Sequence, residues 1–285
     1  MRKILYWKIF KGHTIIMIMK KFIQKTVILF LLISLVPQMT FAQFVRENNF
    51  VDKKGAERTA NIKKFQATMN IPISGTLDNK TKEALYNKDY KVWDMVTNPP
   101  SKGYWIAVNK SRRILTMYMG DKSLGKYPVT LGTSATQTPS GRGKIGNMHK
   151  NPAWGGMNGK YKPVAADDPK NPLGERWMGL SLKGFSGYGI HGNIKPHQIG
   201  GYYSNGCIRM FNYDIEEAVF PQMKIGNPVW IGTDTELESW GLYQFSKVEK
   251  DKAVEKPQAT QQNQTNDVEN EEKIENYQAV DLFEY

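Results

Sequence analysis

From Tyr104 onward the apolar residues recur at every second position in short runs, and no long helix-period segment interrupts them. Trp105-Ile106-Ala107-Val108 reads as one strand. Arg113 to Met119 reads as a second, with Asn109 to Ser111 as the turn, and Gly125 to Leu131 as a third after Gly120-Asp121. Leu180 to Leu182, Gly187 to His191 and Pro228 to Ile231 repeat the pattern. A period of two sends successive side chains to opposite faces, and short strands at this spacing argue for a sandwich or barrel. The expected class is therefore mainly β. Asp214 to Phe220 is the clear helix of this region, with Asp214 at its N-cap. Asn147 to Gly179 is rich in Gly, Pro and Asn, and a loop of that length in a compact domain is usually functional, often a lid.

Upstream the period is different. Ile62, Phe65, Gln66 and Met69 recur at helical spacing, Pro72 and Gly75 punctuate a turn, and Asp78 is placed to cap a second helix carrying Thr81, Ala84 and Leu85. Two such helices bury little surface by themselves, so residues 46–60 are expected to supply a third. A small helical domain over 46–92 is expected to precede a linker, 93–103, whose Pro99-Pro100 holds it extended and keeps the two modules apart. Beyond Thr233 the pattern fades. Trp240 to Phe245 is expected to pack on the domain, and residues 247–285, mostly Lys, Glu, Gln, Asn and Thr with an acidic end, are expected to be disordered.

The ends of the chain and its one cysteine bear on where it works. Lys20, Lys21 and Lys25 precede an apolar run, Val27 to Val36, and then Thr40-Phe41-Ala42. That order reads as a secretory signal, residues 1–42, cut near Ala42. An uncleaved leader is the one route to a membrane. Export to the cell envelope, as periplasm or cell wall, makes the single cysteine notable. Secreted chains normally use cysteines in pairs, and Cys207 has no partner in its own chain. An inert residue, a bridge between two copies and a reactive thiol all remain open on that count alone. The formal charge of +12 calls for an anionic partner or surroundings. Neither a zinc-ligand spacing, a helix-turn-helix pattern nor an RNA-binding signature accompanies it, so nucleic acid is not expected. Cell wall, with its stem-peptide carboxylates, suits the charge as well.

The stretch that carries chemistry is Tyr188 to Met210, YGIHGNIKPHQIGGYYSNGCIRM. A thiol attacks a carbonyl as its thiolate, and an imidazole brought beside it by folding can take the proton. That assigns the nucleophile to Cys207 and the base to His191. An oxyanion hole completes the requirement, and Gly206 allows the N–H of Cys207, with that of Gly206, to turn toward one point. His149 and His197 are read as surface or lid residues. No cofactor and no metal is expected, because the remaining histidines and the one cysteine lack zinc-ligand spacing.

With these residues in view, the run resembles the L,D-transpeptidase catalytic domain of the YkuD type, marked by a His-Gly strand end and a Ser-x-Gly-Cys-hydrophobic-Arg motif. Here these are His191-Gly192 and Ser204-Asn205-Gly206-Cys207-Ile208-Arg209. The likeness spans about 104 to 232 and takes in Thr138-Pro139-Ser140-Gly141, Asn171 to Trp177 and Asn227 to Ile231. Many members carry His where this chain has Asn205. Residues 61–86 in turn resemble the type 1 peptidoglycan-binding domain, a three-helix module. The resemblance implies a β-sandwich catalytic domain over 104–233 acting on peptidoglycan stem peptides: a donor tetrapeptide, and an acceptor amine that resolves a Cys207 thioester into a 3–3 crosslink. It implies that the Gly192 carbonyl orients His191, that Ser204 hydrogen-bonds around the loop beside Asn205 and Gly206, and that Arg209 holds the loop or faces a substrate carboxylate. Three alternatives stand beside crosslinking: an L,D-carboxypeptidase or hydrolase using the same pair, attachment of a protein rather than a second stem, and a non-catalytic wall-binding protein.

Overall fold

The computed structural model describes residues 53–248. The expected signal segment 1–42 and the stretch 249–285 lie outside the described residues. No helix among the described residues is long and apolar enough to cross a membrane.

The described chain opens with helices α1 (Gly55–Thr68) and α2 (Asn79–Tyr86). Strand β1 (Tyr90–Val96) follows, then β2 (Tyr104–Asn109), β3 (Ile114–Met119), β4 (Lys122–Pro128) and the short β5 (Leu131–Gly132). Next come β6 (Gly141–Lys150), β7 (Arg176–Ser181), β8 (Gly189–His191), β9 (Tyr202–Ser204) and β10 (Ile208–Arg209). A π-helical turn (Asp214–Val219), β11 (Pro228–Gly232), helix α3 (Asp234–Ser239) and β12 (Leu242–Val248) complete it. Eight strands form one mixed sheet in the order β10-β8-β7-β6-β11-β2-β3-β4, and β1-β12 and β5-β9 form two separate ribbons.

Alternation along the strands builds the two faces. Ile106 and Val108 of β2, Leu115 of β3, Ile145 of β6, Met178 of β7, Ile190 of β8, Ile208 of β10 and Val229 of β11 all enter one buried cluster. For strands from both ends of one sheet to share a core, the sheet has to curl around it. Ile215, Val219 and Phe220, from the helical turns after β10, fill the middle. The alternate residues of the central strands, Trp105, Ala107, Tyr118 and Trp230, face the other way and are covered by Val96, Leu237 and Leu242. Thus the β1-β12 ribbon and α3 form a lid over the outer face of β2, β3 and β11.

Several sequence expectations change. Residues 93–96 belong to β1, paired in register with β12, so the stretch expected as a linker is in part a strand. Val96 buries over the outer face of the sheet, which an extended spacer has no means of doing. The helices are also not held apart. Ala67 and Ile73 pack with Ile114, Ile73 N–H donates to Arg112 O at 3.2 Å, and Arg113 Nη2–H donates to Ile73 O at 2.7 Å. Of the segment 46–60 expected as a third helix, residues 46–52 lie outside the described residues and 55–60 belong to α1. In the tail, Lys247 and Val248 are the last residues of β12. Within the segment Asn147 to Gly179, both ends are strand and only 151–175 is loop.

The polar chemistry of the helical segment is local. Asp78 accepts from Thr81 N–H at 2.8 Å and caps α2 as expected. Fully buried Gln66 ties the turn, accepting from Ser74 and Gly75 N–H at 2.9 Å each and donating to Thr81 Oγ1 at 2.9 Å. Asp214 is not an N-cap: it lies inside the π-helical turn, and its carboxylate is met by Lys64 of α1 at 2.6 Å.

Candidate active site

Strands β8 and β10 run parallel, with Ile208 opposite Ile190 and Arg209 opposite His191. Ile190 and Ile208 point into the core, so His191 and Arg209 point to the other face. Cys207, two residues before Arg209 and one before the strand begins, reaches that same face opposite Gly189. Its sulfur lies 3.8 Å from Gly187 O. The nucleophile and base candidates thereby face the same side, Cys207 just before β10 and His191 on β8, although sixteen positions separate them in sequence.

The imidazole is fixed and dry. His191 is 3% exposed, and its Nδ1 is 2.8 Å from Gly192 O. A carbonyl only accepts, so Nδ1 carries the proton and Nε2 is left with the lone pair. Burial, reinforced by the nearby Arg209 guanidinium, pulls the His191 pKa down to about 3 against the favourable pull of the Gly192 and Leu173 carbonyls. Burial pushes the Cys207 thiol up, while the Gly189 backbone and Arg209 draw it back. The resting pair is a neutral thiol beside a neutral imidazole, and proton transfer has to accompany attack.

The loop that presents the sulfur is tied at several points. Ser204 Oγ–H donates to Cys207 O at 2.6 Å, and Gly206 N–H donates to Ser204 Oγ at 3.0 Å. Thr138 Oγ1–H donates to Gly206 O at 2.9 Å, and Thr136 Oγ1–H to Ser204 O at 2.9 Å. Gly206 has φ +111°, and a Cβ there would stand 2.5 Å from the Tyr188 ring. A glycine is required on both counts. Because Gly206 N–H is engaged by Ser204, it is not the free oxyanion donor expected from the sequence. The Cys207 N–H, which has no protein acceptor among the described residues, is the better placed of the two.

Arg209 donates from Nη1 to Gln198 Oε1 at 3.2 Å, while its buried Nε has no partner among the described residues. Asn205 is exposed on the rim, with its Nδ2 3.6 Å from Met157 Sδ. Met157 belongs to the 151–175 loop, which is organised rather than loose. Trp154 and Val164 exchange backbone hydrogen bonds at 2.8 and 2.9 Å, and Trp154 packs on Tyr161. Buried Asn171 donates from Nδ2 to Pro152 O at 2.7 Å and accepts from Leu173 N–H at 3.0 Å. Asn171 and Leu173 therefore close the loop's base next to Gly192, a role the sequence marked only as part of a motif. His149 and His197 are both exposed. The His197 carbonyl accepts from Lys63 of α1 at 2.9 Å, which props the loop between His191 and Ser204.

The chain is similar to several known proteins. Residues 103–231 match the model of the YkuD family, the L,D-transpeptidase catalytic domain. The chain is 33% identical over 145 residues to YqjB of Bacillus subtilis, which bears an L,D-transpeptidase name, covering 50% of this chain and 79% of that one. It is 38% identical over 122 residues to the similarly named YkuD of Bacillus licheniformis, covering 43% of this chain but only 62% of that relative. Among solved structures, an L,D-transpeptidase from Xylanimonas cellulosilytica aligns with a TM-score of 0.43 and 15% identity, over 67% of this chain and 91% of that one. The chain belongs to the L,D-transpeptidase family, and residues 103–231 are its YkuD-type catalytic domain.

Proposed function

We propose that the protein is a peptidoglycan L,D-transpeptidase that forms 3–3 crosslinks through a thioester on Cys207. The observation that carries this reading is the placement of His191 on β8 and Cys207 just before the adjacent parallel β10, facing the same side, with Nδ1 of the imidazole against the Gly192 carbonyl and Nε2 left basic. In the first half-reaction His191 takes the thiol proton as sulfur attacks the carbonyl of the third stem residue. The oxyanion is held by the Cys207 N–H, and the leaving D-alanine amine receives the proton from the imidazolium. In the second, an amine of a neighbouring stem gives its proton to His191 and displaces the thiol. Donors of this kind contribute about 2.7–4 kcal/mol each to acyl transfer. Arg209 holds the Cys207 loop or meets a substrate carboxylate, and Ser204 keeps the Cys207 carbonyl turned away.

The site of action in this reading is the cell envelope, reached through the leader ending near Ala42. N-terminal sequencing of the exported protein is expected to begin at Gln43, and retention of the leader would refute cleavage. The helical segment, by its likeness to wall-binding modules, is proposed to add contact with the glycan. The decisive experiment incubates the exported protein with tetrapeptide muropeptides and reads the products by mass spectrometry. Crosslinked dimer supports the proposal, tripeptide alone replaces it with a hydrolase, and unchanged substrate replaces it with a binding protein.

A further inference from the structure

Strand β7 lies between β6 and β8, and Trp177 is in register with His149 on one side and His191 on the other. The three side chains share the face on which Cys207 sits. The indole leans toward His191, with ring centroids 5.8 Å apart and an interplanar angle of 25°. Gly189 is what permits this: a Cβ at that position would stand 2.4–2.6 Å from three atoms of the six-membered ring of the indole. At the other end the indole Nε1–H donates to Asn147 Oδ1 at 2.8 Å. Trp177 is thus held at both ends, yet it lies on the opposite face from the core residues Met178 and Ile190 and is only half-buried. The core does not need it there.

We propose that Trp177 is a positioning residue for His191: its indole face sets the plane of the imidazole and stabilises the imidazolium formed when His191 takes the Cys207 proton, with Asn147 holding the indole in place. This rests on the cysteine–histidine reading above. The charged and titratable groups that the register sets on this face among the described residues include Arg209 on β10, Cys207 and, beyond the indole, His149 on β6. Among the described residues no carboxylate acts on His191, whose one charged influence is the Arg209 guanidinium. An aromatic face attracts a cation and is nearly indifferent to a neutral ring. Such an interaction strengthens between the resting state and the transition state, and it is therefore the kind that raises rate rather than affinity.

The test uses the intact protein with Trp177→Phe, Trp177→Leu, Asn147→Ala and His191→Ala. Two readouts need no muropeptide: the rate of Cys207 alkylation by iodoacetamide at pH 7, followed by intact mass, and the 15N shifts of the His191 ring, which report its tautomer. Trp177→Leu is expected to slow alkylation roughly tenfold and to mix the two tautomers, whereas Trp177→Phe stays within about threefold with Nδ1 protonated. Asn147→Ala, a change outside the core, is expected to fall between them, and it keeps the test open should Trp177→Leu not fold. Wild-type alkylation with an unmixed tautomer in Trp177→Leu or Asn147→Ala would overturn the proposal. If wild type itself alkylates no faster than His191→Ala, the cysteine–histidine reading has failed, and this inference with it.

Discussion

Burial acts on Cys207 and His191 in the same sense, against charge, and this makes the pair quiescent until a substrate arrives. Cys207→Ala removes the only sulfur nucleophile of the chain and deletes one half-buried atom, so crosslinking is expected to vanish while the thermal transition moves by less than a few degrees. Residual crosslinked dimer in the Ala protein would place the nucleophile elsewhere. His191 has a thermodynamic signature of its own. Its folded pKa of about 3 lies below the ordinary value of 6.5, so as pH falls the unfolded chain takes the proton first. The stability linked to this residue is complete above pH 6.5 and is lost by about 1.4 kcal/mol per pH unit on the way down toward pH 3. Denaturant titrations at pH 7, 6 and 5 are expected to show that slope in wild type and its absence in His191→Gln. Parallel slopes in the two proteins would mean that the imidazole is not buried neutral.

At the scale of elements, the loop before β10 is the part most sensitive to backbone geometry. Gly206→Ala forces a Cβ into the Tyr188 ring at a φ that non-glycine residues rarely adopt. The strain is expected to cost about 1–3 kcal/mol, and crosslinking is expected to fall more steeply than stability because the Cys207 N–H moves with the loop. An Ala variant that folds and crosslinks normally would show the geometry to be dispensable. This loop was legible as chemistry, since His191, Gly206 and Cys207 stand in one short run. Strands β2, β3 and β11 were equally legible, because Trp105 and Ile106 or Trp230 and Ile231 alternate between two buried faces. Strand β6 was not. Among its ten residues only Ile145 is buried, so it lacks the apolar alternation that reveals a strand. Helix α3 could have been read from Thr233 and Glu236, whose reciprocal bonds form a capping box. The stacking of Trp177 on His191 depends on the register of β7 with β8, which no local pattern records.

Across the whole molecule, one buried carboxylate joins parts that the sequence reads as separate modules. Asp94 of β1 accepts from Lys126 Nζ of β4 at 2.5 Å, from Tyr118 Oη of β3 at 2.7 Å and from Asn70 Nδ2, beside α1, at 2.9 Å. Its side chain and that of Lys126 are only 2% and 3% exposed. Asn70 also donates to Phe245 O of β12 at 3.1 Å. Helical segment, outer ribbon and main sheet thus share a single polar node, and none of the three can leave without stranding a charge or a donor. The consequence is one cooperative transition across residues 53–248, where independent helical and β modules would give two. Asp94→Asn is expected to leave the Lys126 ammonium buried and uncompensated, lowering stability by about 3–5 kcal/mol. Asp94→Asn combined with Lys126→Met removes both charges and is expected to recover a substantial part of that loss, since the pair is coupled. Calorimetry decides the matter. A second transition in wild type, or a double variant no more stable than Asp94→Asn alone, would show that the helices are carried by the β domain without being built into it.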